Sequence, residues 1–161
     1  MKVKQFLCLL AIVPLIFSSC KKDDKDYRDK FEGTYETDVV GSVNLVDIGL
    51  IIMSIDDQID IDVSKFGTAQ LMLIIGGRIE FITVDEQGNF SIPPESGKIE
   101  DTDPETGDTL TGNLTITVTG TITNKTLYIK ETYSGDAVLE IAGVKIPSKI
   151  TGTVIYYGKK I

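Results

Sequence analysis

The chain has 161 residues with 24 acidic and 16 basic side chains, a formal net charge of −8, and no histidine or tryptophan. Without imidazole it has no Ser-His-Asp triad, no histidine metal ligand and no histidine general base. The acidic balance, with no Lys/Arg cluster in the body of the chain, repels phosphate backbones, so nucleic acid is not an expected partner. We therefore expect neither enzyme activity nor a cofactor.

Residues 1–19 have the pattern of a cleaved signal peptide. Two N-terminal lysines precede an apolar stretch, Phe6 to Phe17, that is too short to span a membrane as a helix. Phe17-Ser18-Ser19-Cys20 resembles a bacterial lipobox, with Phe17 where an aliphatic residue is usual. The resemblance implies cleavage before Cys20 and lipidation of that cysteine. The remaining 142 residues are enough for one domain.

The segment that follows, residues 20–30, is mostly charged and predicts a solvated tether. Within it, Lys22, Asp23 and Asp24 resemble the export signal that sends lipoproteins of Bacteroidota to the outer face of the outer membrane. This resemblance implies an outer-membrane protein that is held by its lipid and exposed at the cell surface.

From residue 31 to residue 161, short apolar runs alternate with turn residues, which predicts a single all-β domain. The clearest strand covers Leu114–Ile122, where aliphatic residues alternate with threonines, so that Thr115, Thr117 and Thr119 are expected on the outer face. The same logic predicts ten strands: Gly33–Val40, Leu50–Ile55, Gln58–Phe66, Gln70–Ile75, Arg78–Asp85, Asn89–Ile92, Leu110–Thr123, Thr126–Tyr133, Ala137–Ile146 and Lys149–Tyr157.

Short connections between these strands predict antiparallel neighbours. Asp56-Asp57 and Ser134-Gly135-Asp136 are interpreted as hairpin turns, and Pro93–Asp108 as a long loop interrupted by a short strand near Lys98–Glu100. The last four strands are expected to form a continuous meander. Their inward residues should be buried together: Leu114, Ile116, Val118, Leu127, Ile129 and Val154.

Several segments resemble small lipoproteins of Bacteroidota with a lipocalin-like, or calycin-like, β-barrel. They are Phe31-Glu32-Gly33-Thr34-Tyr35, Gly88-Asn89-Phe90, Leu127-Tyr128-Ile129 and the closing strand Gly152–Tyr157. Tyr35 stands where true lipocalins have tryptophan. The resemblance implies an antiparallel meander barrel over residues 31–161, and a two-sheet β-sandwich is the alternative that the strand pattern leaves open.

An acidic segment provides the candidate metal site. Asp101, Asp103, Glu105 and Asp108 place four carboxylates within eight residues, and such oxygen density suits calcium. The spacing departs from an EF-hand, so a solvated acidic loop is the competing interpretation.

Two further motifs suggest covalent chemistry. Asp60 and Asp62 lie on one face of a predicted strand, as an acid and base pair for a glycosidase would, or simply as a polar outer face. Asp108-Thr109-Leu110 resembles the acceptor tripeptide of Bacteroidota O-glycosylation, with Thr109 as the acceptor.

Three functions are therefore compared. The first is a non-catalytic binding module for a small apolar molecule, a glycan or an envelope partner, with Gly120, Gly143 and Gly152 as candidates for lining a cavity. The second is a solid-core structural or adhesive protein. The third, a carboxylate-dependent glycosidase, is disfavoured by the composition.

Overall fold

The computed structural model describes residues 26–161, which form a nearly closed, calycin-like barrel of eight antiparallel strands. The predicted leader, Cys20 and Lys22-Asp23-Asp24 lie outside the described residues. Among residues 26–161, no helix is long and apolar enough to cross a membrane. The strands are β1 Gly33–Leu45, β2 Leu50–Phe66, β3 Gln70–Ile75, β4 Arg78–Thr83, β5 Asn89–Thr102, β6 Thr109–Ile122, β7 Thr126–Ile141 and β8 Val144–Lys160, with 3₁₀ helices at Tyr27–Lys30 and Val46–Ile48.

The strand order is β4-β3-β2-β1-β8-β7-β6-β5, so each strand pairs with its neighbour in sequence except across one gap. The first and last strands pair from Tyr35↔Lys160 to Leu45↔Ile150, and this ladder curls the sheet into a barrel. Strands β4 and β5 are the two edges and share no ladder. The prediction of a barrel is confirmed, and so is an antiparallel meander at the C-terminal end. From Thr109 onward the meander has three strands and not the four predicted, because β7 runs through the predicted turn at residues 134–136 and the turn between β7 and β8 falls inside the predicted strand Ala137–Ile146.

Period-two alternation sends one face of each strand into the barrel. The main core lies at the end of the barrel next to the first helix and includes Leu127, Ile129 and Val154, each at most 1% exposed. A smaller distal core lies at the other end, around Leu45 and Ile150. The predicted inward residues of β6 do face the interior but are only half-buried: Leu114, Ile116 and Val118. Of the predicted outward threonines, Thr117 and Thr119 are exposed and Thr115 is half-buried.

Two predicted turns are wrong because the strands run through them. Strand β2 passes through Asp56 and Asp57 while pairing with β1 on one side. Strand β3 pairs only with Ile61–Phe66 of β2, so the part of β2 that precedes Ile61 is a sheet edge on that side. Charged residues are tolerated on an edge, where they also discourage pairing with other chains. Strand β7 likewise passes through Gly135, where a Cβ would lie only 3.0 Å from the Asn113 carbonyl carbon of β6.

The predicted loop Pro93–Asp108 is wrong over most of its length, because β5 continues to Thr102. The register of β5 against β6 shifts between Ile92 and Glu95, which places both prolines in a bulge on an edge strand. A proline cannot donate to a ladder but is accepted at such a position. The true loop is therefore short, from Asp103 to Asp108.

The solvated tether prediction is wrong for residues 26–30. Asp26 caps the first helix by accepting a hydrogen bond from the Arg28 amide at 3.0 Å. The Arg28 side chain is buried and donates to the Gln70 carbonyl at 2.8 Å and to Asp26 Oδ2 at 2.6 Å. These bonds to Arg28 lower the pKa of Asp26 to about 2. The folded domain therefore includes residues 26–30 and does not begin at residue 31.

Candidate functional site

The barrel has an opening in its wall, because β3 and β4 have only six residues each while β2 and β5 are much longer. This wall opening is bounded by Leu50–Asp60 of β2, the start of β4 and Glu95–Thr102 of β5. Within the described chain, the backbone of Leu50–Asp60 has no strand partner on the side of the opening. The interior is thus accessible from one side of the barrel.

A network of charged and phenolic groups lies at the inner end of the wall opening. Arg78, the first residue of β4, points inward, and its Nη2 donates to Glu131 Oε1 on β7 at 2.7 Å. Its Nε lies 3.0 Å from Glu80 Oε1. The Tyr133 hydroxyl donates to the other Glu131 oxygen at 2.6 Å. Both oxygens of the Glu131 carboxylate are therefore satisfied.

Exposure differs sharply between the two ends of the ion pair. Glu131 is 1% exposed, whereas the Arg78 side chain is 49% exposed at the opening. Removing a charge from water costs several kcal/mol, which an ion pair recovers only through good geometry and further hydrogen bonds. The pair thus joins a buried anion to a cation that solvent or a ligand can reach.

Two phenols near Glu131 are held in the neutral form. Burial, followed by the hydrogen bond to Glu131, raises the pKa of Tyr133 above its usual range. Burial and then the negative charge of Glu131 raise the pKa of Tyr156 to about 12. Desolvation disfavours a phenolate, and a nearby carboxylate disfavours it further. Tyr133 therefore remains a hydrogen-bond donor at any physiological pH.

Two depressions flank Arg78 in the wall opening. The larger measures about 230 Å³ and lies against β2, where Ile55, Ile59 and Tyr156 form apolar walls beside Asp57. The smaller measures about 30 Å³ and lies against β5, between Glu95 and Val118. Both depressions combine aliphatic walls with an inward-facing carboxylate.

A further cleft, the distal cleft, lies where β2 begins and the β5–β6 loop ends, with a volume of about 330 Å³. Its apolar lining includes Ile52, Leu110 and Leu139, and Ile51 at its rim is 60% exposed. The opposite lip is acidic and consists of Asp101, Asp103 and Asp108. The distal cleft, at the end of the barrel near the β5–β6 loop, therefore resembles the two depressions in combining apolar walls with carboxylates.

The four carboxylates of the predicted calcium site do not converge on one point. The Asp103 carboxylate accepts hydrogen bonds from the Glu105 amide at 2.8 Å and the Thr106 amide at 3.3 Å, and these bonds lower its pKa. Asp101 accepts from the Thr102 amide. In the part of the chain that the structure describes, no group of three or more Asp, Glu, His or Cys residues is arranged to hold a metal ion. The geometry fits a solvated acidic loop, with Glu105 and Asp108 in the same turn.

The other predicted site residues lie away from the interior. Asp60 and Asp62 are exposed on the outer face of β2, as the polar-face interpretation expects, and the Thr34 hydroxyl donates to Asp62 at 2.6 Å. Thr109 is the half-buried first residue of β6, and its O-glycosylation stays a prediction.

The glycines predicted to line a cavity do not open space inside the barrel. A Cβ on Gly120 would lie 2.7 Å from Phe90 Cε1, and one on Gly152 would lie 2.7 Å from the Val43 Cα, so both sites are already filled. Gly143 lies in the turn between β7 and β8.

The residues that the sequence analysis missed are Arg78 and Glu131. Glu131 falls between Ile129 and Tyr133 in the period-two pattern of β7, on the inward face. A carboxylate at an inward position is the signal that would have revealed the site.

Comparisons with protein-family models, with curated proteins and with solved structures found no significant match to this chain. Its function is therefore inferred from sequence and geometry.

Proposed function

We propose that this chain is a lipid-anchored binding module of the cell envelope, displayed at the surface and not an enzyme. Its ligand is a small, largely apolar molecule with a cationic group, which enters through the wall opening. The observation that carries the proposal is the buried Glu131 carboxylate, paired with a half-exposed Arg78 at the inner end of that opening.

A barrel that served only as a solid support would gain little from this pair. When a buried ion pair is replaced by apolar residues of similar volume, the protein is often as stable as before or more stable. The chain instead keeps charged groups where the wall is open. Such convergent polar groups within apolar walls are typical of small-molecule sites. The volumes of about 230 Å³ beside Arg78 and about 330 Å³ in the distal cleft suit a small ligand.

The charge of the opening favours a cationic group on the ligand. Within residues 26–161, four inward-facing carboxylates border the interior near the cationic Arg78: Asp57, Glu80, Glu95 and Glu131. The acidic lip of the distal cleft adds to this excess. An amine or guanidine on the ligand would gain from these charges, whereas a carboxylate on it would be repelled.

The test compares octylamine, octanol and octanoate as probes in a thermal-shift experiment on the mature domain. We expect octylamine to raise Tm most, because binding to the folded state stabilises it, by about 2.7 kcal/mol at a hundredfold excess over Kd. Glu95→Gln should reduce the octylamine shift, and Asp60→Asn on the outer face should not. Equal shifts with all three probes, or none, would contradict the proposal.

A structural or adhesive protein is the second candidate, because the main core is densely packed and two strand edges are free. The unpaired backbone of Leu50–Asp60 suits the addition of a strand from a partner. A packed barrel of this kind should show no thermal shift with any of the three probes. The third candidate, a glycosidase, would require hydrolysis of chromogenic glycosides that Asp60→Asn abolishes.

The anchor itself is tested through Cys20. Replacement by Ala should release the mature protein from membranes, because each buried methylene of the lipid contributes about 0.8 kcal/mol to the anchor. A Cys20→Ala protein that still sediments with membranes would contradict the lipid anchor. Surface display predicts that external protease digests the domain on intact cells, whereas protection until lysis would place it on the periplasmic side.

A further inference from the structure

An apolar patch lies on the outer face of β2 and β4 near the first helix. The rings of Phe66 and Phe81 pack with their centroids 4.5 Å apart, and each residue is 47% exposed. Ile79, two residues before Phe81, is 54% exposed on the same face. Tyr27 of the helix is 39% exposed at the same end of the barrel. Exposed apolar groups that lie next to one another, as Phe66, Phe81 and Ile79 do here, mark an interaction surface, and Tyr27 lies at the same end of the barrel.

Asp26, the first residue that the structure describes, lies beside this patch. Arg28 donates to the carbonyls of Gly67 and Gln70, which flank the loop between β2 and β3, and Phe66 directly precedes that loop. The Tyr27 hydroxyl donates to the Val84 carbonyl at 2.9 Å, and Lys65 forms an ion pair with Asp29. The position of Asp26 relative to Phe66 is therefore fixed by side-chain bonds.

The number of residues between Asp26 and Cys20 limits how far this end of the barrel can move from the bilayer. Five residues lie between the two positions, and the six steps from Cys20 to Asp26 span only about 20 Å even in a fully extended chain. By contrast, β7 has 16 residues and is about 50 Å long at a rise of about 3.3 Å per residue. The end that carries the patch is thus held close to the lipid, and the β5–β6 loop is at the opposite end.

We propose that the patch of Phe66, Phe81, Ile79 and Tyr27 rests in the headgroup layer of the anchoring bilayer and holds the barrel with its distal cleft away from the membrane. Aromatic side chains favour this layer because their rings are amphipathic. The short tether raises the effective concentration of the patch at the surface, so weak contacts suffice. The proposal rests on the proposed lipidation of Cys20.

The experiment uses the lipidated mature protein in vesicles of phosphatidylcholine and phosphatidylglycerol at a ratio of 3:1. The only cysteines of the chain are Cys8, in the leader, and Cys20, whose thiol carries the lipid. A single new cysteine at exposed Thr68 or, as the matched control, at exposed Glu105 can therefore be labelled with an environment-sensitive fluorophore. Lipids that carry a quencher near the headgroup report contact.

We expect strong quenching of the label at Thr68→Cys and little at Glu105→Cys. Adding Phe66→Ser and Phe81→Ser should reduce the quenching at position 68 several-fold, while the protein stays bound to vesicles through its lipid. Equal quenching at both positions, or quenching that ignores the two serine substitutions, would overturn the proposal. Because both phenylalanines are half-exposed, we expect the variant to fold. An unchanged circular dichroism spectrum and an unchanged urea midpoint check that it does.

Two other outcomes are separable from these. Protein that never attaches to vesicles, with Cys20 unmodified by mass spectrometry, would refute the lipid anchor and not the docking geometry alone. Concentration-dependent dimers of the Cys20→Ala protein that the two serine substitutions abolish would identify a second copy as the occupant of the patch and overturn membrane docking.

Discussion

The two ends of the barrel differ in how completely they are closed. At the end of the barrel next to the first helix, Tyr35 is fully buried, and its hydroxyl lies 2.8 Å from both the Phe31 and the Thr123 carbonyl oxygens, which share its single proton. In the distal half, β3 and β4 do not extend far enough to form part of the wall, and several inward side chains are only half-buried. Packing, and hence stability, is therefore concentrated next to the first helix, and access to the interior is concentrated in the distal half of the barrel.

Truncating a side chain in the main core should therefore lower the free energy of unfolding far more than truncating one in the distal core. Ile129→Ala removes a side chain that is 1% exposed, and we expect a loss of about 3 kcal/mol in the free energy of unfolding. Leu139→Ala, at a half-buried distal position, should cost about 1 kcal/mol because the site is partly hydrated already. Urea unfolding of both variants measures the difference, and equal losses would contradict the contrast between the two cores.

The two residues of the ion pair at the wall opening should differ in how much stability the protein loses when each is replaced. Arg78→Gln leaves the Glu131 carboxylate buried without its cation, and we expect a loss of about 3 kcal/mol. Glu131→Gln leaves a half-exposed guanidinium that water can solvate, so about 1 kcal/mol is expected. Chemical denaturation at pH 7 tests the pair. A larger loss for Glu131→Gln than for Arg78→Gln would show that burial is not what makes the pair asymmetric.

Polar substitutions at two adjacent residues of β6, one facing inward and one facing outward, should differ in how much stability they remove. Val118→Asn places an amide against the main core and should cost about 2 kcal/mol. Thr117→Asn changes an exposed outer position and should cost less than about 0.5 kcal/mol. Because Val118 is only half-buried, the domain should remain folded. Equal tolerance at the two positions in thermal unfolding would contradict the assigned face of β6.

The smallest effect concerns the hydroxyl of Tyr35. Burial raises the pKa of this phenol from 10.0 to about 12, so its contribution to stability is complete below pH 10 and is lost as the pH rises towards 12. Tyr35→Phe removes one donor to two carbonyls and should cost about 1 kcal/mol at pH 7. The variant should also lose stability less steeply between pH 10 and pH 12, and an unchanged slope would show that Tyr35 does not titrate there.

Much of the fold follows from local pattern. Strand β3 matches its predicted bounds, Gln70–Ile75, and β6 differs from its prediction by one residue at each end. The exposed positions of Asp60 and Asp62 were also predictable, because period-two alternation assigns faces without any knowledge of the neighbouring strand. Only local information is needed for these predictions.

The wrong predictions share a physical cause. Asp56-Asp57, Pro93-Pro94 and Gly135 are turn residues by propensity, yet each lies within a strand. The first two are tolerated because β2 and β5 are edges there, and the third is required because β6 passes too close for a Cβ. Which strands are edges, and where two backbones meet, depends on partners far away in sequence.

The all-β class, the two faces of Leu114–Ile122, the outward position of Asp60 and Asp62, and the motifs from which the lipid anchor is predicted all follow from the sequence alone, because they depend on residues that are close together in the chain. The position of the wall opening and the charges that meet there became known only from the folded barrel. Arg78 and Glu131 are 53 residues apart and come together because curling the sheet brings β4 across the interior from β7. The local pattern of β7 places Glu131 on the inward face, but its pairing with Arg78 and the free edge of β2 are properties of the closed sheet, which no local pattern encodes.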